Sequence, residues 1–191
     1  VVLHCVLDAP QLGPADLPQP ALDLRVEQTE ALLDFWNGRA HTLIMGDLNA
    51  YAKEDPITTL ETAGYINLLQ DFSGDLAYSY VFTGLAGYLD HALASNSLRT
   101  QVTAAVDWHI NADEPRVLDY NEEFKTPQQV ISLYSPEAWR ASDHEPLIIE
   151  LALTTPQPEA VITIASAPAS TCGHQASMLL RMSSSPPSWS F

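Results

Sequence analysis

TLIMGDLNA, residues 42–50, runs from an apolar segment straight into a carboxylate and a carboxamide two residues apart. Thr42 to Met45 reads as a buried strand, so Asp47 and Asn49 fall where that strand meets a loop, the usual place for a scaffold to present chemistry. Two readings compete. Asp and Asn could simply bond their own backbone in a turn. On an extended segment, however, residues two apart point to the same side, and both side chains could then reach one pocket.

The flanking sequence supplies a sheet and helices for that strand. Upstream, Val1 to Leu7 is a second buried strand. It is followed by a loop rich in proline and by an amphipathic helix from Ala21 to Trp36, with Leu22, Val26, Leu33 and Trp36 on one face and Asn37-Gly38 as the stop. Downstream, Asp55-Pro56 predicts a helix start with Asp55 as N-cap, and Gly64 predicts its end. Tyr78 to Phe82 alternates, Gly84 to Gly87 reads as a turn and Tyr88 to Ser95 as the returning strand of a hairpin. Thr100 to Ile110 is a further strand candidate. Asn111 to Asn121 is acidic and irregular, Thr126 to Trp139 carries short helical signals broken by Pro127 and Pro136, and Pro146 to Leu153 is a buried strand. Residues 154–191 are rich in Ser, Thr, Ala and Pro and are expected to be linker or disordered tail. Helix and strand are mixed, with the later strands reading as antiparallel.

Composition bounds the function. The chain has 191 residues, 46% of them hydrophobic, enough for one substantial core. It carries 24 acidic against 8 basic side chains, a net charge of −16, which argues against a module that holds nucleic acid by neutralising phosphate. It does not argue against an enzyme that reaches phosphate through divalent cations, although acidity can also serve solubility alone. No run approaches the roughly 18 apolar residues of a membrane span. VVLHCVLDAP has neither an initiator Met nor a basic leader, so the chain is expected to begin inside something longer or after processing. Cys5 and Cys172 allow at most one bridge between them, too little for a disulfide scaffold.

Three pieces place a carboxylate at or near a strand end: Gly46-Asp47-Leu48-Asn49, Leu89-Asp90-His91 and Ser142-Asp143-His144. Singly, each could be a turn, a cap or a surface loop. Together they supply Asp47 and Asn49 for one pocket, Asp90 to accept the Nδ1–H of His144 and fix its tautomer, and Asp143 as an oxygen ligand for a hard cation. That inventory suits hydrolysis of a phosphate ester, which needs an activated water, charge neutralisation on the phosphoryl oxygens and a proton donor. His91, one residue past Asp90, is expected to point to the opposite face and to pack or bond locally. Asp107, His109, Asp113 and Glu114 read as a solvated acidic loop before a cation site, and Tyr78, Tyr80, Phe82 and Tyr88 as cross-strand packing before a base-stacking platform. Trp36 and Trp139 read as core or interface residues.

GDLN, LDH and SDHEPL, in that order, resemble the endonuclease/exonuclease/phosphatase superfamily related to DNase I. The runs GDLNAYAKEDPI, SYVFTGLAGYLDHALAS, DWHINADEP and VLDYN are most similar to its bacterial secreted nucleases. The resemblance covers about Leu24 to Leu153. It implies a four-layer α/β sandwich and cleavage of DNA, with RNA a second substrate, dependent on Mg²⁺ or on Mn²⁺ or Ca²⁺, by a secreted, extracellular protein. By position it implies that Asp47 orients or deprotonates water and shares the metal site with Asp143. Asn49 would contact the phosphate and position Asp47, Asp90 would orient His144, and His144 would bind phosphate or transfer a proton.

The chain departs from the family pattern at its start. Upstream Asn and Glu metal ligands are expected in the family, and His4-Cys5 stands where an Asn-His pair is expected. Residues 1–153 are therefore expected to be the C-terminal portion of a catalytic domain lacking its N-terminal half. Two rivals accompany this reading: a phosphodiesterase of the same fold acting on a phospholipid or sugar phosphate, and a non-catalytic calcium- or partner-binding fragment.

Overall fold

The computed structural model describes residues 2–4, 19–36, 39–118, 122–123, 125–153, 162–164 and 178–183. Strand β1 (Val2–His4) is followed by helix α1 (Gln19–Trp36), β2 (Leu43–Asp47), α2 (Asp55–Thr62), β3 (Tyr65–Asn67) and α3 (Leu68–Ser73). Then come β4 (Tyr80–Phe82), β5 (Leu85–Gly87), β6 (Asp90–Ser95), α4 (Asn96–Arg99), β7 (Val102–Asp107), α5 (Pro127–Ser132), β8 (Leu147–Ala152), β9 (Ile162–Ile164) and β10 (Met178–Ser183). The mixed α/β class is that expected. Cys5 and Cys172 lie outside the described residues.

One sheet has the order β3-β6-β2-β1-β9, with β1 parallel to β2 and β9 and with β6 antiparallel to β2 and β3. The second has the order β10-β8-β7, β8 running antiparallel to β7 and parallel to β10. Strand alternation sorts the first sheet into two faces. Leu43 and Met45 of β2 and Ala92 and Ala94 of β6 pack with Ala105 of β7 and with Leu147, Ile149 and Leu151 of β8, sealing the two sheets together. Ile44 and Leu93 point the other way, onto Trp36 of α1 and Ile57 and Leu60 of α2. Three layers (helix, sheet, sheet) are thus present among the described residues of the expected four-layer sandwich.

Several sequence expectations are corrected. Glu54, not Asp55, is the N-cap of α2; its carboxylate accepts the N–H of Tyr51 at 2.8 Å, and Asp55-Pro56 forms the first helical turn. Pro127 opens α5 and does not break it: Thr126 caps the helix reciprocally with Gln129, and the missing proline N–H costs nothing there. The returning strand of the hairpin is Leu85–Gly87, reached through Thr83 and Gly84, both at positive φ. The run from Asp90 instead joins the main sheet, because its unbroken apolar residues suit a strand buried on both faces. Within 154–191, expected to be linker or tail, the apolar runs Ile162–Ile164 and Met178–Ser183 pair with β1 and β8 as sheet; the rest lies outside the described residues. Trp139 is half exposed, whereas Trp36 is buried in the core as expected.

Candidate active site

The register of β2 and β6 builds the centre of the site. Leu43 faces Ala94, Met45 faces Ala92 and Asp47 faces Asp90. The apolar row that seals the two sheets therefore ends in two carboxylates directly opposite each other, a pairing of like charges that destabilises a sheet. Gly46, between Met45 and Asp47, has φ 153°, a conformation that side chains resist. Beyond it the chain leaves the sheet: Asn49 is left-handed at φ 47°, and its N–H donates to Asp47 Oδ1 at 2.8 Å. The expectation that Asp47 and Asn49 share one face of an extended segment is corrected here. Asp47 caps a turn, which is the local bonding that short Asp and Asn side chains favour.

His144 reaches this pair from the segment before β8. Its Nδ1–H donates to Asp90 Oδ2 at 2.7 Å, and Ser79 Oγ donates to the same oxygen at 2.6 Å. Tyr80 lies against the imidazole, ring centroids 4.8 Å apart. Asp90 is fully buried and its Oδ1 has no hydrogen-bond partner among the described residues. Asp47, Asp90 and His144 each offer a ligand atom within 4.8 Å of the others. Asp143 is not part of this group.

Burial and neighbouring charge set the protonation. Burial raises the Asp47 pKa, and Asp90 raises it further, while His144, the Asn49 N–H and Arg25 pull it back. Burial alone would lower His144, but the Asp90 hydrogen bond and charge, with Asp47 and Asp143, push it up to about 9. In the metal-free chain this shift favours the imidazolium form of His144 at neutral pH and suits it to donate. The donor set fits a hard divalent cation through its carboxylate oxygens, the unpartnered Asp90 Oδ1 among them.

The remaining expectations resolve locally. His91 is fully buried on the helix-facing side, bonded through Nε2 to the Ala50 carbonyl at 2.7 Å, and burial lowers its pKa to about 4. The acidic loop gathers no cation cluster among the described residues. Tyr78 stacks on His109 at 4.0 Å and donates to Asp113, Arg140 pairs with Glu114 at 3.0 Å, and Asp107 turns inward. Burial, with Asp90 and Glu145 nearby, raises Asp107 to about 7. The hairpin aromatics do not simply pack across strands: Tyr78, Tyr80 and Tyr88 each lie against a histidine.

Sequence reasoning missed Ser79, Arg25 and Glu145, and read Tyr80 as cross-strand packing and not as the ring that covers His144. Arg25 is almost fully buried in α1 and interacts electrostatically with Glu54 and Asp47. Only Glu145 left a local signal, a charged residue heading a buried strand; the others depend on contacts between distant segments.

Residues 6–144, more than half of the chain, match the Endonuclease/Exonuclease/phosphatase family, and the chain belongs to that family. No curated protein matches it. Among solved structures, it is similar to an AP endonuclease from Archaeoglobus fulgidus (TM-score 0.42, 13% identity, 47% of this chain and 46% of that one). It is also similar to a 3′-5′ exonuclease from Neisseria meningitidis (TM-score 0.44, 16% identity, 53% of this chain and 51% of that one). The match thus spans about half the length of those structures.

Proposed function

We propose that this chain hydrolyses phosphodiester bonds in nucleic acid with the help of a divalent cation, DNA being the first substrate and RNA the second. The observation that carries the reading is the Asp47–Asp90 register with His144 bonded to Asp90. Two carboxylates held opposite each other are unfavourable in a structural sheet and useful beside a cation and a phosphate. The imidazolium of His144, oriented by Asp90 and covered by Tyr80, has its second ring nitrogen left to donate to a phosphoryl oxygen and to stabilise the charge that develops there. Asp47, with its raised pKa, is the group suited to take a proton from the attacking water near neutral pH. A bound cation, Mg²⁺ before Mn²⁺ or Ca²⁺, would be held by Asp47 and Asp90 and would offset charge on the phosphate. Asn49, next in the turn, is the candidate phosphate contact. The acidic composition and the resemblance to secreted nucleases support an extracellular setting.

The test is metal-dependent nicking of supercoiled plasmid, compared with a phospholipid substrate and with EDTA. Asp47→Ala and His144→Ala should each lower turnover at least about 100-fold while the thermal transition is retained, since both sit at the end of the seam and not within its apolar core. Near-parental rates in either variant, or a preference for lipid, would overturn the assignment.

A further inference from the structure

Glu145 is fully buried, and its carboxylate accepts hydrogen bonds from backbone. Oε2 accepts the N–H groups of Ile110 and Asn111 at 2.7 and 2.9 Å, and Oε1 accepts that of Ala112 at 2.8 Å. Three successive donors converging on one side chain need an acceptor-only group with two oxygens. The loop so gripped returns to the active site. Asn111, itself buried, donates through Nδ2 to the His144 carbonyl at 2.7 Å. The Glu145 N–H donates to the Ser79 carbonyl at 2.8 Å, and Ser79 Oγ is the donor that shares Asp90 Oδ2 with His144. His144 is therefore held at its carbonyl by Asn111, at its N–H by Ser142 Oγ and at its ring by Asp90, and the Glu145 side chain secures the first of those supports by fixing the loop that carries Asn111.

We propose that Glu145 is a positioning residue: by gripping the loop that carries Asn111 it fixes the peptide of His144, so that the imidazole meets Asp90 in one orientation. It touches neither substrate nor cation. The inference deepens the proposed function and rests on it for the role of His144, but the geometry can be read without turnover.

The experiment follows the ring N–H proton of His144 by NMR in the 191-residue chain, its downfield resonance assigned by its loss in His144→Gln. Glu145→Gln would keep the volume but turn an amide N–H₂ toward the loop N–H groups, and Asn111→Ala would remove the link to the His144 carbonyl directly. Both variants should broaden or lose the resonance by faster exchange while the cooperative thermal transition persists; Asn111→Ala should do so even if Glu145→Gln does not fold. A residue with only a structural role would lower the transition temperature and leave the resonance in place, so an unchanged signal in folded Asn111→Ala or folded Glu145→Gln overturns the proposal. Cleavage of bis(p-nitrophenyl) phosphate adds a second reading, with kcat expected to fall at least 10-fold and KM less than 2-fold in each variant. A wild-type chain that shows the resonance but cleaves no phosphodiester would sink the proposed function while leaving the positioning test intact.

Discussion

Held between the Asp90 carboxylate and the Tyr80 ring, His144 keeps its proton far above the usual imidazole range, to about 9. A pKa raised in the folded state means stabilisation that is complete below the ordinary value of 6.5 and is lost as pH rises through about 9. Asp47 and Asp107, also raised, act in the same direction at lower pH: their contribution is present below the ordinary carboxylate value and is lost as pH rises, through about 7 for Asp107. Metal-free chain should thus become easier to unfold in urea between pH 6.5 and 9, by at most about 3 kcal/mol from His144. His144→Gln should flatten that part of the profile; a slope unchanged by the substitution would refute the Asp90–His144 coupling. At this scale the sequence disclosed Asp47, Asp90 and His144 because their residue types carry the chemistry. It did not disclose that Asn49 turns left-handed, since a short Gly-Asp-x-Asn run fits an extended segment as well as a turn, and the choice is made by the bond from the Asn49 N–H to Asp47.

Among elements, the β4–β5 hairpin is the one whose partner the sequence misassigned. A three-residue returning strand ending in Gly87 has little apolar signal of its own, and the buried run from Asp90 outcompetes it on paper. Gly87 has a steric reason to be glycine. A Cβ there would lie 2.5 Å from Cε1 of Tyr51, so the hairpin rests directly on the loop that follows Asp47. Gly87→Ala should cost about 1–3 kcal/mol of stability by overpacking, measured by denaturant unfolding. It should also lower activity, because either Tyr51 or the hairpin must shift and Tyr80 rides on that hairpin. A neutral Gly87→Ala would mean that the ring moves freely and the hairpin is not anchored there. By contrast, α1 was legible from its apolar period and its stop, α2 from its Asp-Pro start and Gly64 end, and β2 and β8 from continuous apolar runs.

For the whole molecule, a net charge of −16 and a carboxylate pair held face to face predict that divalent cations stabilise the fold. Millimolar Mn²⁺ or Mg²⁺ should raise Tm by several degrees at pH 8 and by much less at pH 5, where protons compete for the same oxygens. Asp90→Asn should remove most of the shift, and an equal shift in that variant would point to diffuse surface binding. The mixture of helices and strands followed from periodicity and the layered sandwich from the family resemblance, but the meeting of Asp47 with Asp90 followed from neither, because no local feature of either segment encodes which residues of β2 and β6 face each other. That dependence on pairing bears on how the chain is made. A slip of one residue between β2 and β6 would carry Asp90 to the helix-facing side and bring His91 inward, leaving a sheet without a site. The group formed by Asp47, Asp90 and His144 therefore exists only once β2, β6 and the segment before β8 have met in register, and a chain that has not reached that pairing lacks the site on which the proposed function rests.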